Sequence, residues 1–343
     1  MHLDERKRMI LEAVIRDYVE TAEPVGSRTI VRKHQLGVSP ATVRNEMADL
    51  EEMGFLEQPH TSAGRIPSER GFRYYVDCMM EKEQLTPMEI DALQRVISEK
   101  INDINEVIRR TSLTLSQLTR YASFIVCAPM NINEIKSVQL VPMRTGKAMV
   151  VVVTSAGVIL HKRIDIPDSI QPVDLEGISS LFTRNLAGTR FSNLNRTALE
   201  SMRAELLGKR QLIDNALQAL EDLLGHSEEE KVMLSGTLNM FNEPEFKNLE
   251  KLRTILGILQ EESFFRKALD DCTGSEVKIK IGKENQVEEI KELSLVFTSY
   301  EINGEEMGKI GLLGPVRMEY WKAAGSVESV REIVVDVIRQ LIR

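Results

Sequence analysis

Ser39, Thr42, Arg44 and Asn45 lie close together in the stretch "VSPATVRNEMADLEEMGF", Val38 to Phe55. Their hydroxyl, guanidinium and carboxamide groups suit hydrogen bonding to phosphates and base edges rather than bond cleavage. Ser39 followed by Pro40 marks a helix start, because the serine oxygen can cap a free N–H and proline costs nothing in the first turn. At about 100° per residue, Val43, Met47 and Leu50 share one arc and must face inward. The opposite arc holds Ala41 and Asn45, flanked by Thr42 and Arg44. Small, hydrogen-bonding residues at the outward start of a short helix fit an element that enters a major groove. The acids Asp49, Glu51 and Glu52 come later, and Gly54 ends the helix.

The neighbouring segments must position this helix. Met9, Ile10, Ala13, Val14 and Tyr18 recur at helical steps between Arg6 and Val19, which predicts an amphipathic helix. Ser27 then reads as the N-cap of a second helix running to Gln35, with Gly37 as its left-handed terminus. After Gly54, "FLEQPHTSAGRIPS" reads as a short strand, a polar turn around Gly64 and a second strand ending at Pro67. A hairpin after such helices is the sequence form of a winged helix. Residues 1–76 carry eleven Lys and Arg against twelve Asp and Glu, so any basic face must be local. Arg28, Arg32 and Lys33 lie on the second helix, and Arg65, Arg70 and Arg73 accompany only Glu69 between Pro59 and Val76.

The 343 residues exceed one typical core and predict more than one domain. A 42% hydrophobic and 28% charged composition is that of a folded soluble chain. No apolar run reaches the length of a membrane span and the N-terminus lacks a signal-peptide core, so a cytoplasmic location is expected. The net charge of −8 excludes a chain coated in nucleic acid but not a localised cationic face. Cys78, Cys127 and Cys272 are widely separated and read as buried thiols. His60 has no ligand cluster in sequence and reads as a turn residue near phosphate.

Beyond Leu85, Ile97, Ile101, Ile104, Ile108, Leu115 and Leu118 form a heptad-like seam on one continuous helix, interrupted by Thr111, which reads as a dimer coiled coil or, favoured because strands follow at once, as a helix packed on a sheet. "IKSVQLVPM" and "KAMVVVVTSAGVILHKRI" read as strands, and strands return in "EVKIKIG", "LSLVFTSYEI" and "KIGLLGPV" before a terminal helix. Between them, Leu175, Ile178, Leu181 and Phe182, then Leu212, Ile213, Ala216, Leu217, Leu220 and Leu224, line two helices. Their apolar faces predict pairing, most economically with a second copy of the chain. Strand pairs split by a helical interval make an α+β domain with an insertion. "TGKA", Thr145 to Ala148, lacks the glycine and hydroxyl of a phosphate loop, with Val141 and Ala148 in their places. Gly308, Gly311 and Gly314 do not match a dinucleotide fingerprint, and His161 stands alone. No enzyme is expected.

The segment from Ser39 to Asp77, "SPATVRNEMADLEEMGFLEQPHTSAGRIPSERGFRYYVD", resembles the N-terminal domain of the heat-inducible transcription repressor HrcA family. "LDERKRMILEAVIRDYVETAEPVGSRTI" and "GKIGLLGPVRMEY", Gly308 to Tyr320, are similar to the same family. The resemblance implies a homodimer on an inverted-repeat operator in double-stranded DNA upstream of chaperone genes, assisted by a GroEL-type chaperonin. The residues themselves give no reason to expect a cofactor or metal. Carried onto this chain, the resemblance places Ser39, Thr42, Arg44 and Asn45 on the recognition helix and His60, Thr61, Ser62 and Arg65 in the wing. Arg44 and Asn45 are assigned to base edges, and Arg28, Arg65, Arg70 and Arg73 to phosphates. The implied plan is a winged helix-turn-helix domain (1–76), a linker (77–87), a GAF-like domain in two parts (88–166 and 231–343) and an inserted, mainly helical dimerisation domain (167–230). The alternative is a metabolite-sensing regulator with a ligand in the GAF-like domain.

Overall fold

The computed structural model describes residues 3–98, 104–127, 134–144, 146–155, 159–189, 210–225, 231–259, 261–269, 274–302 and 305–342. The protein is α+β. Its N-terminal unit contains α1 (Glu5–Thr21), α2 (Ser27–His34), α3 (Pro40–Glu52), the antiparallel pair β1 (Leu56–Glu57) and β2 (Ile66–Pro67), and α4 (Glu69–Cys78). Asp4 caps α1 by accepting from the Lys7 N–H. The buried face of α1 is broader than one stripe: Ile10, Leu11, Ala13, Val14, Ile15 and Val19 are inside, while Met9 is 45% exposed. The helix is wedged between α2, α3 and α4, so a second side is covered.

Ser27 does not cap α2. Gly26 occupies that position in an extended conformation, and Ser27 is the buried first helical residue. The left-handed turn begins at Gln35 (φ 47°) and continues at Gly37 (φ 67°). Both residues are needed to swing the chain into the start of α3.

The remainder is built on a five-stranded antiparallel sheet, ordered Lys231–Ser235, Ala122–Cys127, Glu305–Pro315, Leu293–Ile302, Lys278–Ile281. Its elements are α5 (Pro87–Ser98), α6 (Ile104–Thr119) and β3 (Ala122–Cys127), then β4 (Ile135–Arg144), β5 (Lys147–Thr154) and β6 (Ile159–Asp165). There follow α7 (Pro172–Leu186), α8 (Arg210–Gly225), β7 (Lys231–Ser235), α9 (Leu249–Leu259) and α10 (Glu262–Leu269). The chain closes with β8 (Lys278–Ile281), β9 (Leu293–Ile302), β10 (Glu305–Pro315) and α11 (Tyr320–Ile342). Gly308 and Gly311 sit where strands crowd. A Cβ on Gly308 would fall 2.0 Å from the Val126 carbonyl oxygen, and one on Gly311 2.5 Å from Phe297 Cβ.

β4, β5 and β6 form a separate antiparallel sheet, not part of the five-stranded one. Because β3 and β7 are hydrogen-bonded neighbours, the excursion between them begins before β4. The expected division at residue 167 therefore shifts to include the β4–β6 strands. One face of this small sheet packs Val138, Leu140, Ala148, Val150 and Val152 against Leu175, Ile178 and Phe182 of α7 and Leu212, Ile213, Ala216, Leu217 and Leu220 of α8. These helical faces are covered by their own chain, so no second copy is required to bury them.

The expected continuous helix between 85 and 118 is instead two helices packed on each other, α5 and α6, with Arg110 Nη1 donating to the Val96 carbonyl. Thr111 is fully buried rather than a break in the apolar face. The helix α6 does lie against β3 and α11. Ile101 and Cys272 lie outside the described residues, as do the side chains of Ile104 and Leu224. Cys78 is exposed and Cys127 half-buried, contrary to the expectation of buried thiols. Cys78 ends α4 on its solvent side, where its carbonyl accepts from Arg8. Among the described residues no helix is long and apolar enough to cross a membrane.

Candidate nucleic-acid interface

Ser39 begins α3 as its sequence demands. Its Oγ accepts from the Thr42 N–H at 3.1 Å and lies 2.9 Å from the Thr42 hydroxyl. Ser39→Ala leaves the Thr42 N–H without its acceptor, and a loss of about 1 kcal/mol in unfolding free energy is expected by chemical denaturation. Val43, Met47 and Leu50 anchor the helix in the core. Ser39, Ala41, Arg44 and Asn45 are exposed, and Thr42 is half-buried. Arg44 and Asn45 have no hydrogen-bond or ion-pair partner among the described residues. Their polar groups therefore face solvent, free for an incoming ligand.

Three of the four acids of α3 are paired within the fold, and the fourth, Glu52, is exposed at the far end of the helix from Ser39. Glu46 bonds Lys7 at 2.6 Å and approaches Arg6 at 3.5 Å, while Asp49 bonds Lys7 at 2.9 Å. The Glu46 and Asp49 bonds hold the Lys7 ammonium above its ordinary pKa. Glu51 accepts from Arg65 Nε at 2.7 Å. Along α2, Arg28 and Arg32 are exposed and unpaired among the described residues. Lys33 is engaged by Asp17 and Glu20 at 3.0 and 2.6 Å. The Asp17 carboxylate, almost wholly buried, also lies 3.0 Å from His34 Nε2, which ties the end of α2 onto α1.

The β1–β2 connection is a closed turn. Gln58 Nε2 donates to the carbonyls of Thr61 and Ala63, both at 3.1 Å. His60, Thr61 and Ser62 are exposed at its tip. Its base is fastened to the loop before α2 by paired Val25 and Arg65 backbone bonds of 2.8 and 2.9 Å. Gly64 permits this approach, since a Cβ there would stand 2.3 Å from the Val25 carbonyl oxygen. Gly64→Ala is expected to lower stability by about 1–3 kcal/mol through overpacking, read as a fall in urea midpoint.

The structure brings Arg28, Ser39, Thr42, Arg44, Asn45 and the hairpin tip into one N-terminal unit. It treats the other arginines differently. Arg70 is exposed with its guanidinium over the Phe55 ring, 4.9 Å from the centroid. Arg65 is committed to Glu51, and Arg73 reaches Glu284 and the Ile279 carbonyl in the C-terminal part of the chain. Sequence reasoning missed the pairings of Lys7, Glu51 and Arg73 because no periodicity links partners on separate elements. Among the described residues no group of three or more His, Cys, Asp or Glu is placed to hold a metal ion.

Residues 105–324 match the family model described as the HrcA protein C-terminal domain. A heat-inducible transcription repressor HrcA from Moorella thermoacetica is 43% identical over 344 residues, covering 100% of both chains. One from Pelotomaculum thermopropionicum is 42% identical over 344 residues, covering 100% of this chain and 99% of the relative. A crystal structure described only as that of a hypothetical protein shares the fold, with a TM-score of 0.73 at 22% identity over 99% of this chain and 100% of that one. Full-length similarity of this degree, together with the family-model match, shows that this chain belongs to the HrcA family of heat-inducible transcription repressors.

Proposed function

We propose that this protein is a DNA-binding repressor of chaperone operons of the groEL/groES and dnaK type, acting as a dimer on an inverted-repeat operator. The observation that carries the reading is the outward start of α3, where Arg44 and Asn45 are unpaired and exposed while Glu46, Asp49 and Glu51 are neutralised within the fold. The helix is the recognition helix of a winged helix-turn-helix, with β1–β2 as its wing. Arg44 and Asn45 read base edges; Ser39, Thr42, His60, Thr61 and Ser62 contact the duplex beside them. Arg28 and Arg70 meet phosphates. Arg65 supports them by holding the wing to α3.

The five-stranded sheet with its flanking helices is the GAF-like domain, and the β4–β6 sheet with α7 and α8 is the inserted dimerisation unit. Its outward sheet face supports that role: Val141, Met143 and Ile159 are exposed, and Met149, Val151 and Val153 are only half-buried. Gln139, His161 and Arg163 share that face, and exposed apolar side chains set among polar ones on a small unit are the kind of surface that a second copy covers. A dimer also matches a two-fold operator. A GroEL-type chaperonin assists the repressing form. No described feature of the five-stranded sheet favours the ligand-sensing alternative.

The test is fluorescence anisotropy of the purified protein on a duplex carrying the inverted repeat and on a scrambled duplex, at two salt concentrations. The expected result is a preference of about 10³ or more for the repeat, with affinity for both falling as salt rises. Equal, weak binding to both duplexes, with chaperonin present as well as absent, would refute the reading.

A further inference from the structure

The N-terminal unit does not swing freely on a linker. Phe72 of α4 lies edge-on to Tyr320 of α11, with ring centroids 5.8 Å apart, and Tyr75 lies edge-on to Trp321 at 6.0 Å. Arg16 of α1 stacks over the same indole at 4.9 Å. These residues belong to an apolar core that runs without a break from α1–α4 into α5, α6 and α11. The connecting segment is seated too. The Glu83 N–H donates to the Trp321 carbonyl at 3.1 Å, and Gly325 leaves room for it, since a Cβ there would stand 1.8 Å from the Glu83 oxygen.

Two arginines pin the joint from opposite directions. Arg73 crosses from α4 to the body, where Nε donates to Glu284 Oε1 at 2.7 Å and Nη2 donates to Glu284 Oε2 and, at 2.6 Å, to the Ile279 carbonyl. Its Nη1 donates to Asp77 at 3.0 Å. Every guanidinium nitrogen is thus bonded within the protein, and the bidentate fork fixes direction as well as distance. Beside it, the Glu69 side chain rests against Gly282, whose φ of +54° and missing Cβ allow the contact. Arg317 crosses the other way. Its Nη1 donates to the Val19 carbonyl at 3.0 Å in the last turn of α1, where a cation is favoured, and its other nitrogens hold Glu243 and Glu245.

We infer that Arg73, through Glu284, and Arg317 are positioning residues that set the angle of the DNA-reading unit on the body, so that a dimer presents its two α3 helices at one fixed separation. The inference rests on the DNA-binding and dimer readings above. None of the joint residues is on the exposed start of α3, so the joint leaves that face open. Two half-sites on a duplex are separated by a set number of helical turns. A unit held at one angle meets the second half-site at high effective concentration, and a loose unit forfeits part of that gain. Arg73 accordingly acts at a distance from the duplex rather than on its phosphates.

Glu284→Gln separates the two roles, because they predict opposite signs. The amide oxygen can still accept the Ile281 N–H that Glu284 now bonds at 2.7 Å, so the local turn is kept while the ionic fork is lost. If Arg73 and Glu284 lay near phosphates, removing an acid would tighten DNA binding. As a positioning pair, Glu284→Gln and Arg73→Ala should each weaken binding to the full inverted repeat roughly tenfold. Binding to a duplex with a single arm should change by less than about twofold, with the salt slope unaltered, and the double variant should be no weaker than Arg73→Ala alone. Trp321, the only tryptophan in the chain, should become more open to acrylamide quenching in both variants.

Unchanged or tighter repeat binding by Glu284→Gln would overturn the inference. So would an equal loss on both duplexes in Arg73→Ala with the salt slope reduced by about 1, the mark of a lost phosphate contact. A wild-type protein with no preference for the repeat would instead refute the DNA reading. Trp321 quenching would then still decide whether the Arg73 and Glu284 pair holds the joint.

Discussion

Asn45→Ala should remove much of the protein's preference for its operator without disturbing its fold. Asn45 is exposed and unpaired on α3 among the described residues, and alanine is the better helix former, so stability should be unchanged or slightly raised. A bidentate amide contact to a base edge is worth about 1–3 kcal/mol of discrimination. In a dimer the loss is taken at both half-sites, which compounds it. Specific binding should fall by about 10²-fold or more, while binding to a scrambled duplex, proposed above to rest on Arg28, Arg70 and other cations, should hardly move. Arg44→Ala should lose both kinds of binding, because its charge also contributes to the salt-dependent part. Undiminished preference in Asn45→Ala, measured by competition between the two duplexes, would show that α3 does not read the bases at this position.

Phe72→Ala should produce the largest loss of stability, about 3–5 kcal/mol, the usual cost of deleting a buried phenyl group. The side chain is 1% exposed and packs where the N-terminal unit meets Tyr320. A cavity there weakens two units together, because the core is continuous across the joint. In urea unfolding, the midpoint followed by Trp321 fluorescence should fall sharply, since that indole follows Tyr320, the ring partner of Phe72, and meets Tyr75 of the same helix as Phe72. Leu238→Ala, at a side chain 74% exposed, should change stability by less than about 0.5 kcal/mol. A Phe72→Ala protein as stable as that control would mean that the joint contributes little to the folded state.

Much of the N-terminal unit was legible in the chain because local physics governs it. Ser39 and Pro40 start α3 by satisfying or sparing N–H groups within one turn, and the spacing of Val43, Met47 and Leu50 places the buried arc whatever lies beneath it. The turn around Gly64 and the outward positions of Arg44 and Asn45 follow from the same short-range rules. The family resemblance was likewise carried by residues in order along the chain, in stretches at its two ends.

Contacts between distant segments were decided only by tertiary structure. Met9 and Ser27 departed from their expected places because α1 is covered on more than one side and Gly26 takes the extended cap position. The β4–β6 strands, expected within the first part of the GAF-like domain, form a sheet of their own, because alternation shows that a strand has two faces, not which strand it pairs with; pairing β3 with β7 across the whole insertion is a long-range choice. Arg73 is the sharpest case. Its place among the wing arginines suggested a phosphate contact, yet Glu284, far along the chain, takes its guanidinium. Local propensity settles which elements form and which way their faces point, whereas the partner of a long charged side chain is chosen by whatever folding brings within reach.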